Sequence, residues 1–216
     1  MKAIRFPLRK VATVSALLTL VVFAAILLLQ GTESSVVLKL VAKSGVAFTV
    51  AGVFWEVYNR WAWRVAPFKY LKWLSPYPDL NGRWIGTVIR KEAGDAERPF
   101  VIEITQTFTS IAFSTFSTHS RGGSTGAWLM SNEDATTWGV AAVWHATTRR
   151  RDEPDQEEVF PGTSVWRLEF VDEPGLFQDK LKIVDDYYTA RSPATSGRIE
   201  VRRVSRTLKN GFADGK

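Results

Sequence analysis

The hydrophobic pattern of this chain changes character once along its 216 residues. From Val11 to Leu29 it reads VATVSALLTLVVFAAILLL, a run of 19 residues without a charge. About 20 apolar residues carry a helix across the hydrocarbon core of a bilayer, so this run predicts a transmembrane helix. A second apolar segment, Val36 to Val57, includes Lys39, Lys43 and Glu56, yet Val46 to Trp55 is almost wholly apolar. The polar link from Gln30 to Ser35 leaves no room for a domain, so residues 1–57 read as a two-helix transmembrane hairpin.

Beyond Leu80 the apolar residues alternate. Trp84, Gly86 and Val88 interleave with Ile85, Thr87 and Ile89, and Phe100, Ile102 and Ile104 with Val101, Glu103 and Thr105. That period of two is the signature of strands. Further β-rich stretches cover residues 111–118, 125–131, 137–147, 163–170, 180–187 and 198–204. Gly94-Asp95, Asn132 to Asp134, Asp152 to Pro154, Asp172 to Pro174 and Ser192-Pro193 supply turn chemistry between them. No amphipathic helix intervenes. About eight sequential antiparallel strands predict a small up-and-down β-barrel, which removes exposed sheet edges; a sandwich is the alternative. The fold class is membrane-anchored all-β: two N-terminal transmembrane helices, then an eight-stranded antiparallel barrel. Its parts are the hairpin (1–57), a linker (58–78), the barrel (79–206) and a flexible tail (207–216). In the linker, Trp61, Trp63 and Trp73 alternate with Arg64, Lys69 and Lys72 as in an interfacial collar, and Pro67, Pro76 and Pro78 interrupt any helix.

Charge sharpens the picture when divided. Residues 1–78 hold 10 Lys/Arg and 2 Asp/Glu, a balance of +8; residues 79–216 hold 18 and 20, a balance of −2. The overall +6 therefore belongs to the membrane region, where it suits anionic headgroups. The barrel lacks the basic footprint of a DNA or long-RNA binder. Lys2, Arg5, Arg9 and Lys10 precede the first helix, and Arg60, Arg64, Lys69 and Lys72 follow the second. Under the positive-inside rule both ends of the hairpin are cytoplasmic, and the barrel with them. Gly45, Thr49, Gly52 and Glu56 recur at helical spacing. Such a stripe serves either the hairpin's internal contact or an oligomerisation face.

Catalytic chemistry finds little support. The chain has no cysteine and two histidines, which leaves no thiolate chemistry and makes a His-based metal site unexpected. No P-loop, dinucleotide fingerprint or nucleophile elbow is present. Asp185 and Asp186 are adjacent strand residues, which face opposite ways and form no dyad. The expectation is a non-enzyme with no cofactor.

Two stretches carry a resemblance. Leu80-Asn81-Gly82-Arg83-Trp84 opens the barrel with a Gly-x-Trp pattern like that of lipocalins, and Tyr188-Thr189-Ala190-Arg191 with Thr195 to Ile199 closes it. With the two-helix N-terminus, the chain resembles the SMODS-associating two-transmembrane, β-strand-rich effectors of bacterial anti-phage defence. That resemblance implies a multi-pass inner-membrane protein whose cytoplasmic barrel binds a cyclic dinucleotide made by a partner nucleotidyltransferase. Binding then drives homo-oligomerisation through the membrane helices, disruption of the bilayer and cell death. A cyclic dinucleotide asks for arginine forks on its phosphates and aromatic faces on its bases. Arg191, Tyr188, Thr189, Arg203 and Trp144 are the candidate ligand residues. Gly82 and Trp84 read as a plug at the closed end, with Arg202 or Arg203 over the indole. The cluster Arg149 to Arg151 is answered by acids from Asp152 to Glu157 and reads as a solvated loop. Other classes remain open: a membrane-tethered lipocalin-like carrier of an apolar ligand, or a non-enzymatic scaffold.

Overall fold

The computed structural model describes residues 2–3, 8–30, 36–65, 68, 77–91, 97–132, 137–149, 157–170, 181–190 and 194–212. These fall into two compact units.

The first unit is a closed antiparallel β-barrel. Its strands are β2 (Gly82–Arg90), β3 (Glu97–Gln106), β4 (Ile111–Ser117), β5 (Ser120–Ser131), β6 (Trp138–Arg149), β7 (Glu157–Phe170), β8 (Leu181–Thr189) and β9 (Ser196–Ser205). Each pairs with the next, and β9 returns to pair with β2, so no edge is left open. The period-two pattern explains the burial. Along β9, Gly197, Ile199, Val201 and Arg203 are buried while Arg198, Arg202 and Val204 are exposed. Trp84, Ile102, Ile104, Val140, Trp166 and Ile183 fill the interior. A two-residue strand, β1 (Lys2–Ala3), pairs antiparallel with the end of β5, Lys2 opposite Ser131. The N-terminal residues read as part of the hairpin thus belong to the barrel unit; two residues are too short to carry a pattern.

One end of the barrel is plugged. Trp84 is fully buried and donates its indole N–H to the Leu80 carbonyl at 3.0 Å. The Arg203 guanidinium lies 5.3 Å from the Trp84 ring and donates to the carbonyls of Asp79 (2.7 Å) and Asn81 (3.0 Å). Gly82 has φ +128°, and a Cβ there would collide with the Ser205 carbonyl, so the position needs glycine. On the outer face beside the plug, Arg83 and Glu103 form an ion pair at 2.5 Å, both nearly fully buried. The cover is the C-terminal segment: the amides of Lys209 and Asn210 donate to the two Glu103 oxygens (2.8 and 3.0 Å), and Arg83 donates to the Gly211 carbonyl (2.7 Å). Residues 207–212, expected within a flexible tail, are strapped to the barrel by these bonds.

The second unit comprises residues 5–77 with 107–109. It contains α1 (Leu8–Gln30), α2 (Val36–Arg60) and a 3-10 turn (Ala62–Arg64). Tyr58, Trp63 and Phe108 form its buried centre, with Val11, Val14, Phe54, Trp55, Phe68 and Tyr77 packed around them. Trp55 donates to the Ser15 hydroxyl at 2.6 Å, joining α2 to α1. Of the expected collar, Trp61 is exposed and Trp63 is buried in this cluster; Pro67, Lys69, Lys72, Trp73 and Pro76 lie outside the described residues. The buried face of α2 runs through Ala47, Ala51 and Tyr58. Gly45, Thr49, Gly52 and Glu56 are exposed, and a Cβ added at either glycine meets nothing within 4 Å. The stripe is therefore not the hairpin's internal contact. Among the described residues, no helix is long and apolar enough to cross a membrane. The side chains of residues 26, 27, 29 and 30, at the end of the apolar run, lie outside that description.

Candidate functional site

The end of the barrel opposite the plug holds a cavity of about 80 Å³. β2, β4, β6 and β8 end there, and β3, β5, β7 and β9 begin. The strand period places inward-facing residues from several strands around one space. Phe100, Phe113, Phe160, Trp144, Trp166 and Tyr187 supply its aromatic walls. Ser117, Ser120, Ser164, Thr189 and Thr195 supply hydroxyls, Arg90 a cation and Asp185 a carboxylate.

Two of the rings are held flat by glycines on the paired strand. Trp144 lies opposite Gly162, and a Cβ at Gly162 would intrude into the indole. Its N–H donates to the Ser164 hydroxyl at 2.9 Å, which fixes the ring's orientation. Tyr187 lies opposite Gly197, where a Cβ would sit 2.8 Å from the ring. Glycine removes a side chain and the cross-strand aromatic covers the gap. Flat rings along the wall are stacking surfaces for another planar group.

Asp185 and Asp186 face opposite ways, as their adjacency predicts. Asp186 is on the outside, paired with Arg167 at 3.0 Å. Asp185 is 1% exposed, and neither of its oxygens has a hydrogen-bond partner. Burial pushes its carboxyl up to about 7. The Ser164 hydroxyl, the Trp166 indole and the Val165 amide pull the other way, near enough to act without reaching hydrogen-bond geometry. Among the described residues, no group of three or more His, Cys, Asp or Glu side chains is placed to hold a metal ion.

The candidates read from the sequence fall in different places. Trp144 lines the cavity, while its neighbour His145 is exposed on the other face. Thr189 also lines it, but its hydroxyl is engaged with Thr195, Oγ1 to Oγ1 at 2.8 Å and accepting from the Thr195 amide at 3.0 Å. That bond clasps the β8–β9 loop. Tyr188 is 59% exposed and does not line the cavity; Tyr187 does. Arg203 is committed to the plugged end and does not line the cavity. Arg191 lies outside the described residues. Asp185, Tyr187 and Arg90 line the cavity and are not among the ligand candidates read from the sequence. Counting alternation back from an inward Trp144 does not reach β8 without the strand register.

Aromatic walls, a hydroxyl-rich rim, a cation and a buried carboxylate are the chemistry this cavity of the small β-barrel presents. The family model described as Cap15, cyclic dinucleotide receptor domain, matches residues 75–203, more than half of the chain, and the chain belongs to that family. The barrel is thus a cyclic-dinucleotide sensor of the anti-phage type, as the resemblance implied in its general form. No curated protein matches the chain.

Proposed function

We propose that this protein is a membrane-anchored, non-enzymatic effector. In this reading a cyclic dinucleotide, made by a partner nucleotidyltransferase, occupies the open end of the barrel. Occupancy promotes self-assembly through the helical hairpin and breaches the inner membrane, killing the infected cell. The observation that carries the sensing step is the cavity within the matched receptor domain, with ring faces at Trp144 and Tyr187 and a cation at Arg90. Stacking on such faces is worth about 1–3 kcal/mol per base. Arg90 lines the cavity, and in this reading it and Arg191 serve the phosphates.

Support for the membrane step comes from the hairpin. The uncharged run Val11–Leu29 falls within α1, and Leu17, Leu20, Val21, Phe48 and Val53 are all more than half exposed. Apolar surface of that extent belongs against lipid or another copy. The cations flanking both ends of the hairpin favour a cytoplasmic side for each under the positive-inside rule. A carrier of an apolar ligand fits less well, because burying Asp185 against hydrocarbon would leave its oxygens unsatisfied.

Thermal unfolding of the full-length protein in detergent, against a panel of cyclic di- and trinucleotides, tests the sensing step. A ligand at 100 times its Kd adds about 2.7 kcal/mol of stability. A panel in which no member raises the transition at micromolar concentration would sink the reading.

A further inference from the structure

Among the described residues, the buried charges of the barrel are spent, with one exception. Arg83 and Glu103 hold each other and the C-terminal strap, and Arg203 holds two carbonyls over Trp84. Asp185 is as deeply buried as any of them, lines the cavity, and has both oxygens unpartnered. Leaving a buried acceptor unsatisfied is costly, and native folds keep such groups where something else completes them.

What completes it follows from size and chemistry. Pockets that take whole drug-sized ligands run to roughly 300–1,000 Å³. The cavity, at about 80 Å³, is well below that and admits one ring system rather than an entire cyclic dinucleotide. Its walls are aromatic, which favours a planar group. The ionised form of this carboxyl accepts hydrogen bonds and repels phosphate, so the group that completes it presents donors and no negative charge. Of the parts of a cyclic dinucleotide, the base edges are planar, uncharged and carry N–H groups. Resting on the receptor reading above, we propose that Asp185 is the specificity-determining residue of the cavity: its oxygens accept the N–H donors of one base, inserted edge first, while both phosphates stay at the mouth. A base with two adjacent donors, such as the N1–H and N2 amino group of guanine, satisfies both oxygens; a lone amine or imide N–H satisfies one. A site built to receive a polar edge discriminates by leaving its own groups unpaired when that edge is absent.

Calorimetric titration of the full-length protein in detergent with the homo- and mixed 3′,3′-cyclic dinucleotides of the four RNA bases tests this. Wild type, Asp185→Asn, Asp185→Leu and the outward control Asp186→Asn are compared. The expected result is a loss of at least tenfold for the tightest ligand in both Asp185 variants, with a changed order of preference. Asp186→Asn should stay within about twofold of wild type. A smaller loss, or a uniform loss that preserves the order, overturns the assignment and leaves the receptor reading intact. If wild type binds no member of the panel, both fall. Retained cooperative unfolding of Asp185→Asn separates lost recognition from lost folding, and Asp185→Leu must reproduce the change of order.

Discussion

Asp185 makes the barrel's stability depend on pH in a direction opposite to that of most carboxylates. Its carboxyl ionises near 3.8 when exposed and near 7 in the fold. Between those values the folded state holds the extra proton, so stability falls as pH rises. The loss is absent below about pH 4 and complete above about pH 7, amounting to roughly 4 kcal/mol if the whole shift is expressed. Urea denaturation at pH 5 and pH 8 should show this decline in wild type and its near absence in Asp185→Asn, which should be the more stable protein at pH 8. Equal slopes in the two proteins would show that Asp185 is solvated in the fold. A residue that weakens the apo protein where the cell works, yet sits in the receptor cavity, fits a stability–function compromise. None of this was legible from residue types. Adjacency showed that Asp185 and Asp186 part company, but not which one turns inward. The same one-residue ambiguity put Tyr188 forward in place of Tyr187. Trp84 was different, because the Gly-x-Trp spacing names its own partner residues.

The strands were readable because apolar and polar residues alternate along much of their length; all eight β-rich stretches overlap observed strands, with ends shifted by up to six residues. The closing pair β2–β9 is a consequence of counting strands, not of any motif. What alternation could not reveal was the pairing of segments too short or too polar to show it. Lys2–Ala3 adds to β5, and residues 209–211 cover the Arg83–Glu103 pair. The strap has a measurable role. A protein ending at Arg206 loses three hydrogen bonds to a buried charge pair, each with a net worth of about 1.5–3 kcal/mol where the charge stays buried and less where the opened pair is hydrated. Chemical denaturation should find it destabilised by about 2–4 kcal/mol, with the cavity end and its ligand affinity little changed. Unaltered stability would mean the pair hydrates at no cost. The family match stops at residue 203, short of this strap, so the matched boundary and the folding boundary differ.

For the molecule taken together, the division of charge was the most informative sequence feature. It separated a basic helical part from a slightly acidic barrel and argued against long nucleic acid as a ligand. The hairpin's inner and outer faces were beyond sequence reading, because Gly and Thr suit both. Ala47, Ala51 and Tyr58 face inward, and the Gly45–Thr49–Gly52–Glu56 stripe is left exposed. In the proposed effector that stripe is where copies meet. Gly52→Leu should leave cyclic-dinucleotide affinity within about twofold while cutting the dye entry and growth arrest that follow activation in cells. Undiminished dye entry would assign assembly to another surface.

The indole of Trp144 has one further use. It is pinned by Ser164 and spread over Gly162, so its fluorescence arises from a single, well-defined environment at the point where an incoming base would stack. Stacked purines and pyrimidines quench tryptophan emission, whereas Trp84, buried in the plug at the opposite end, does not face the cavity. The receptor therefore carries an optical probe at its own threshold, and occupancy can be followed in unlabelled protein, in detergent or in vesicles, as it happens.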